Sequence, residues 1–324
     1  MLGATVLIDR IRSATEATFT LCRGCVEGPN ETVKRDEKAA KEALITPLMT
    51  FARMIRLSHS IFAMPFALAA AVIASHQVPV TVAQVALIVL CMVAARSSAM
   101  GMNRLVDRQF DATNPRTATR ELVTGELSLP AAWGFTLGSA AIFVVGSALL
   151  GKLTLLLSPF ALALVWGYSL TKRFTALCHL VLGLALALAP TAVWIALTGT
   201  WGPVPAVLSL VVATWVAGFD IIYACQDADF DKANGLFSIP SRLGVRNALI
   251  VSAGLHVVTI GALVALPWFA PLGIAYTIGV GVIAAVLAYE HWIVGGGDLS
   301  RVDKAFFDLN GYVSLAFLVA VVLA

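Results

Sequence analysis

Charge is what this chain lacks: Asp, Glu, Lys and Arg make up only 13% of its 324 residues, against 59% hydrophobic and a mean hydropathy of +0.87. Soluble domains carry about 25% charged residues, so the composition places the chain in a bilayer. The net charge of +3 is small, and no basic run is interleaved with aromatics, which excludes a nucleic-acid partner. Cysteine is sparse and odd in number; Cys22, Cys25, Cys91, Cys178 and Cys225 offer no disulfide framework. Cys22 and Cys25 form a lone C-x-x-C with no second Cys or His pair at ligand spacing, so zinc is not expected. His59, His179 and His256 fall on apolar stretches and read as packed or hydrogen-bonded helix residues rather than ligands.

A secretory signal is also missing, because the apolar pieces near the N-terminus are broken by Asp9, Arg10, Arg12 and Glu16. Residues 1–45 read as a polar extension, an amphipathic surface helix followed by a linker. Residues 46–324 read as the membrane domain. It holds nine apolar stretches, at about 57–77, 80–102, 130–150, 153–171, 176–198, 203–224, 247–268, 270–294 and 305–324. Each approaches the ~20 residues that cross a hydrocarbon core as a helix, and backbone amides in lipid need internal partners, which dictates helices. The expected fold is an all-α integral membrane bundle of nine transmembrane helices, with Pro65, Pro159 and Pro190 as kink sites.

Basic residues alternate from side to side. The loops after even-numbered spans hold Arg104, Arg108, Arg116, Arg120, Lys172, Arg173, Lys232, Arg242, Arg246, Arg301 and Lys304, whereas the opposite loops hold only Lys152. The positive-inside rule then puts the N-terminus and the even loops in the cytoplasm, and the C-terminus across an inner or plasma membrane.

The chain also repeats itself. Asp107, Phe110, Asp111 and Asn114 recur as Asp227, Phe230, Asp231 and Asn234, displaced by 120 residues, and Asn103 maps onto Tyr223. The copies follow spans two and six, so the halves would run parallel, with the site between them at the cytoplasmic side. Each D-x-x-x-D places two carboxylates one helical turn apart. A single pair would read as solvated loop acids; two copies of a like-charge clash at equivalent places read as binding sites for hard cations. Oxygen-only ligation suits Mg²⁺, with Asp107, Asp111, Asp227 and Asp231 as ligands.

Four carboxylates cancel two Mg²⁺, which leaves a bound diphosphate ester in need of protein cations. Arg56, Arg116, Arg120, Lys172 and Arg173 stand in the same loops or at span ends. Arg96 interrupts the second span, a costly place for a charge. It either snorkels to the interface or points inward on the face of Asn103 and Asp107, toward an acceptor carboxylate or phenolate. Asp220, seven residues before Asp227, either orients the acceptor or takes a proton, or it pairs with Arg96.

Taken together, Asn103-x-x-x-Asp107-x-x-x-Asp111, continuing through Asn114-Pro115-Arg116 to Arg120, and Tyr223-x-x-x-Asp227-x-x-x-Asp231 resemble the UbiA superfamily of intramembrane aromatic prenyltransferases. The resemblance covers residues 50–324 and includes Lys172-Arg173-Phe174. The stretch from Arg56 through Pro65 is similar to the 4-hydroxybenzoate polyprenyltransferase-like branch, which includes menaquinone enzymes of the futalosine route. It implies a polyprenyl diphosphate donor, an aromatic acid acceptor of hydroxybenzoate or dihydroxynaphthoate type, and a role in quinone biosynthesis. The rival reading is a divalent-cation transporter with duplicated aspartate pairs at a repeat interface. A phospholipid head-group transferase lacks its glycine-spaced aspartate motif here. Nothing in the sequence sets the oligomeric state.

Overall fold

The computed structural model describes residues 49–51, 53–54, 63–295, 302 and 308–324. Arg56, His59, Cys22, Cys25, Arg301, Lys304 and the extension 1–45 lie outside the described residues. The chain divides into two units, Met1–Arg53 and Met54–Ala324, and every helix from Ala63 onward belongs to the second.

Among the described residues all regular structure is helical: α1 (Ala63–Ser75), α2 (Val82–Thr113), α3 (Glu121–Thr124), α4 (Leu129–Leu150), α5 (Lys152–Thr171), α6 (Cys178–Thr198), α7 (Pro203–Ala224), α8 (Ala228–Ala233), α9 (Ile239–Leu243), α10 (Val245–Ala265), α11 (Ile274–Val294) and α12 (Asn310–Val322). Seven segments are long and apolar enough to cross a membrane: α2, α4, α5, α6, the segment from α7 through α8, α10 with the 3-10 turn that follows it, and α11. α1 and α12, at the first and ninth expected places, are apolar but only 13 residues long among the described residues. Large apolar side chains face outward on these helices, among them Leu156, Phe160, Ile250, Val257 and Ile274. So much exposed hydrocarbon requires lipid around it.

α2 departs most from the expected boundaries. A capping box starts it, with the Thr81 hydroxyl accepting from the Gln84 N–H and the Gln84 side chain accepting from the Thr81 N–H. It then continues for 32 residues to Thr113 rather than stopping near 102. That is about 48 Å of helix, well over the ~30 Å of a hydrocarbon core, so the first aspartate motif is part of the helix and not of a loop. Arg104, expected among the loop cations, is buried on α2 and donates from Nε to the Met54 carbonyl at 3.3 Å.

The second half is organised around α7, whose residues are mostly buried. Trp215 packs against Phe66 of α1 and Phe219, and Phe66 stacks on Phe317 of α12. α6 lies so close to α7 that a Cβ at Gly183 would collide with the Ala213 carbonyl, and α2 approaches α4 through Gly101 at Thr136. Close approach through small residues is how helices gain packing energy in lipid.

A polar circuit ties α7 to α10, α11 and α12. Trp215 Nε1 donates to Asn310 Oδ1 at 2.7 Å, and Asn310 Nδ2 donates to Glu290 Oε1 at 2.9 Å. His256 Nε2, facing the Trp215 carbonyl at 3.2 Å, carries the hydrogen there, and His256 Nδ1 lies 3.8 Å from Glu290 Oε2. Gly218 leaves the space that the His256 ring fills. An amide can take the Asn310 bond as a carboxylate does, so Glu290→Gln should unfold within ~1 kcal/mol of the parent. Glu290→Ala, which removes the acceptor of the buried Asn310 Nδ2 bond, should lose about 1–3 kcal/mol. Thermal unfolding in detergent separates the two.

Candidate active site

Four residues per step along α2 bring Asn103, Asp107 and Asp111 onto one face. Asn103 Nδ2 donates to Asp107 Oδ2 at 2.9 Å and reaches Ser169 Oγ of α5 at 3.4 Å. Beyond α2 the chain folds back tightly. The Asn114 side chain accepts from the Arg116 N–H, and the Thr117 hydroxyl donates to the Asp111 carbonyl at 3.1 Å. This turn returns Arg120 to the helix end, where Nη1 bonds both oxygens of Asp111 at 2.5 Å.

Arg116 crosses to the other half. Nε and Nη2 grip Asp227 at 3.0 and 2.5 Å, Nη1 donates to the Tyr223 hydroxyl at 3.0 Å, and the guanidinium lies over the Tyr223 ring. Asn114 Nδ2 adds a third bond to Asp227 at 3.2 Å. Burial works against the Arg116 charge, but the bonds and charge of Asp227 outweigh it and raise the proton affinity of the guanidinium. At the end of α5, Lys172 Nζ lies 2.7 Å from Asp231 Oδ1. Arg173 donates to the Val106 carbonyl at 2.8 Å and reaches Asp107 Oδ1 at 3.4 Å. Of the basic residues expected to meet a diphosphate, Arg116, Arg120, Lys172 and Arg173 are therefore each paired with one motif carboxylate, and Arg56 lies outside the described residues.

The two motifs are not structural copies. Asp107 and Asp111 share a continuous helix, but Asp227 ends a 3-10 turn over Cys225–Asp227 and Asp231 lies on α8, which starts at the next residue. Asp227 lines a polar chamber of about 230 Å³, whereas Asp231 is fully buried. The repeated asparagines diverge as well, since Asn234 Nδ2 bonds the Phe230 carbonyl of its own helix while Asn114 bonds across the halves.

A second chamber, of about 420 Å³, opens from the first and is mainly apolar, with Met92, Phe143, Leu157, Val165 and Leu186 in its walls. Asn103, Arg116, Arg120, Tyr168, Asp220 and Tyr223 line both chambers and form their junction. Arg96 lines the apolar chamber, and its buried Nε has no hydrogen-bond partner among the described residues. Snorkelling is thus not its role. Nor does Asp220 pair with Arg96: its Oδ2 lies 2.6 Å from His179 Nδ1, and His179 Nε2 accepts the Ile239 N–H at 3.3 Å. His179, expected to be a packed or hydrogen-bonded helix residue, is both, though a lone histidine on an apolar helix carries no signal of its Asp220 partner. Tyr168, one turn before Lys172, could have been found by that spacing.

The residues present fit divalent cations. The acidic donor set is all oxygen, and among the described residues Asp231 Oδ2 has no partner while Oδ1 faces only Lys172 Nζ at 2.7 Å, which leaves lone pairs for a cation. Among the described residues no three His, Cys, Asp or Glu side chains converge on one point. That suits Mg²⁺, which takes one or two carboxylates and keeps water and phosphate oxygens as its other ligands.

A model of the UbiA prenyltransferase family matches residues 63–317. A 4-hydroxybenzoate octaprenyltransferase of Vibrio cholerae is 31% identical over 230 residues, which are 71% of this chain and 80% of that protein. The apo structure of a UbiA homologue from Aeropyrum pernix is 33% identical, with a TM-score of 0.75, over 82% of this chain and 97% of the homologue. A UbiA homologue from Archaeoglobus fulgidus bound to GPP and Mg²⁺ shares the fold at 20% identity and a TM-score of 0.67, over 85% of this chain and 98% of that one.

Proposed function

Because the chain belongs to the UbiA prenyltransferase family, whose members are transferases, we propose that it transfers a polyprenyl group from its diphosphate to an aromatic acid, with Mg²⁺, in quinone biosynthesis. The observation that carries this reading is a polar cage of paired acids and bases joined, at one shared wall, to an apolar chamber. A diphosphate fits the first and a prenyl tail the second. The Vibrio relative's name, with its hydroxybenzoate acceptor, and the GPP and Mg²⁺ bound in the Archaeoglobus homologue support the same assignment.

Asp107 and Asp111 would hold one cation and Asp227 and Asp231 another, and Mg²⁺ bound there would neutralise the leaving diphosphate. The chain's own residues do the rest. Arg116, Arg120, Lys172 and Arg173, released from their carboxylates as these turn to the metals, take the phosphate oxygens. Arg56 is assigned to the same task. As the allylic C–O bond breaks, this preorganised positive cage receives the charge that develops on oxygen. Arg96, on the wall of the apolar chamber, is assigned to the acceptor carboxylate, with Asn103 and Tyr223 at the junction. The apolar walls keep water from the allyl cation.

The proposal includes the membrane layout: nine spans in the unit 46–324, the cage and the N-terminal extension 1–45 on the cytoplasmic side, and the C-terminus opposite. The excess of basic residues in the even loops supports it. A divalent-cation transporter would need no apolar chamber beside its ion site, and the family is one of transferases.

The test uses the full chain in liposomes with labelled prenyl diphosphates of several lengths and a panel of aromatic acids. Prenylated product should form in Mg²⁺ and vanish with EDTA. No product from any aromatic acid, together with Mg²⁺ flux into the vesicles, would favour the transporter instead.

A further inference from the structure

We propose that Asp220 takes the ring proton in the transfer step, and that His179 is a positioning residue holding Asp220 there as a neutral imidazole. This rests on the prenyl-transfer reading and extends it to a pair that neither aspartate motif contains.

The tautomer follows from the partners. His179 is 3% exposed, and both its nitrogens are used. The N–H of Ile239, the first residue of α9, points at Nε2, so Nε2 must present its lone pair. The proton therefore sits on Nδ1 and is donated to Asp220 Oδ2 at 2.6 Å. A second proton on the ring would meet the Ile239 N–H head-on, at a nitrogen buried with the rest of the ring. The imidazole stays neutral, and the charge of the pair resides on Asp220.

Asp220 also has the right address, because it lines both chambers on the wall it shares with Asn103 and Tyr223. Each of the four motif carboxylates is engaged by Arg or Lys here and is assigned to a cation in the reacting complex, so a proton delivered to one of them there would break a metal contact. A proton delivered to Asp220 breaks none.

The step balances. The diphosphate leaves with the electron pair of the C–O bond, and a ring carbon donates a π pair to the allylic carbon to form the new C–C bond. The C–H pair of that ring carbon then restores aromaticity, and its proton passes to the Asp220 carboxylate. It returns to solvent through the polar chamber.

Kinetics of the full chain with geranyl diphosphate, Mg²⁺ and the better acceptor of 4-hydroxybenzoate and a dihydroxynaphthoate, with and without ring deuterium, test this. Wild type should show no primary isotope effect, because proton loss is fast. Asp220→Asn should be slowed by about 10²-fold or more and should acquire an isotope effect, which a merely structural defect would not produce. His179→Leu should behave the same way. His179→Gln should recover at least ~10-fold over His179→Leu and lose the isotope effect, because its amide supplies one donor and one acceptor as the neutral ring does.

An Asp220→Asn enzyme with an unchanged rate, or a slowed one without an isotope effect, overturns the proposal. So does His179→Gln as slow as His179→Leu, which would make the ring itself a proton carrier. Should His179→Leu not fold, Asp220→Asn and His179→Gln decide the matter against wild type. A wild type inactive on every aromatic acid is instead a failure of the prenyl-transfer reading, which takes this step with it.

Discussion

Asp227→Ala should eliminate Mg²⁺-dependent product formation, and Asp107→Ala should do so equally, with each loss exceeding about 10²–10³-fold in turnover. Asp227 is the node at which the two halves meet, receiving two bonds from Arg116 and one from Asn114. Without it one cation site loses a ligand, and Arg116 loses the partner that aims it. Asp107 holds the equivalent place on α2, between Asn103 and Arg173. Because both sites act on one leaving group, the double variant should be scarcely worse than either single one, as with other residues that act as a unit. Turnover by the three variants, alongside monodisperse elution in detergent, checks this. Appreciable turnover by either single variant would rule out its metal role.

Lys172→Met should lower the stability of the Mg²⁺-free protein, and Mg²⁺ should stabilise this variant more than the parent. The reason lies in Asp231, fully buried with neither oxygen in a hydrogen bond and Lys172 Nζ 2.7 Å away. Removing one member of a buried pair costs about 3–5 kcal/mol. Lys172 is 37% exposed, so water relieves part of that, and a loss of about 1–3 kcal/mol is expected. A cation bound at Asp231 replaces the missing charge, and binding to the folded state alone raises stability by mass action. Thermal unfolding of parent and variant across a Mg²⁺ series measures both effects. Equal Mg²⁺ shifts in the two proteins would mean that Asp231 is no ligand.

Much of this was legible before any coordinates. The shortage of charge and the ~20-residue apolar periodicity specify a helical membrane chain, because hydrocarbon permits little else. The duplicated aspartates pointed to the site because like charges repeated at equivalent places need a common purpose. Boundaries were less legible. An apolar count ends α2 near 102, yet the helix runs to Thr113 because Asn103, Asp107 and Asp111 find polar partners on neighbouring elements. The pairing of Asp220 was also hidden: Arg96 looked like its natural counter-charge, but the partner is His179, four helices removed from the one bearing Arg96 when the short α3 is counted.

The sequence by itself determined the class of the molecule, the family and the identity of the acidic and basic residues, since composition and spacing are properties of the chain alone. Only the tertiary structure decided which base meets which acid, that Asp231 is buried while Asp227 faces a chamber, and that Arg96 points inward. Those outcomes depend on how distant helices dock. A few ångströms of approach between residues more than a hundred positions apart leave no trace in local pattern.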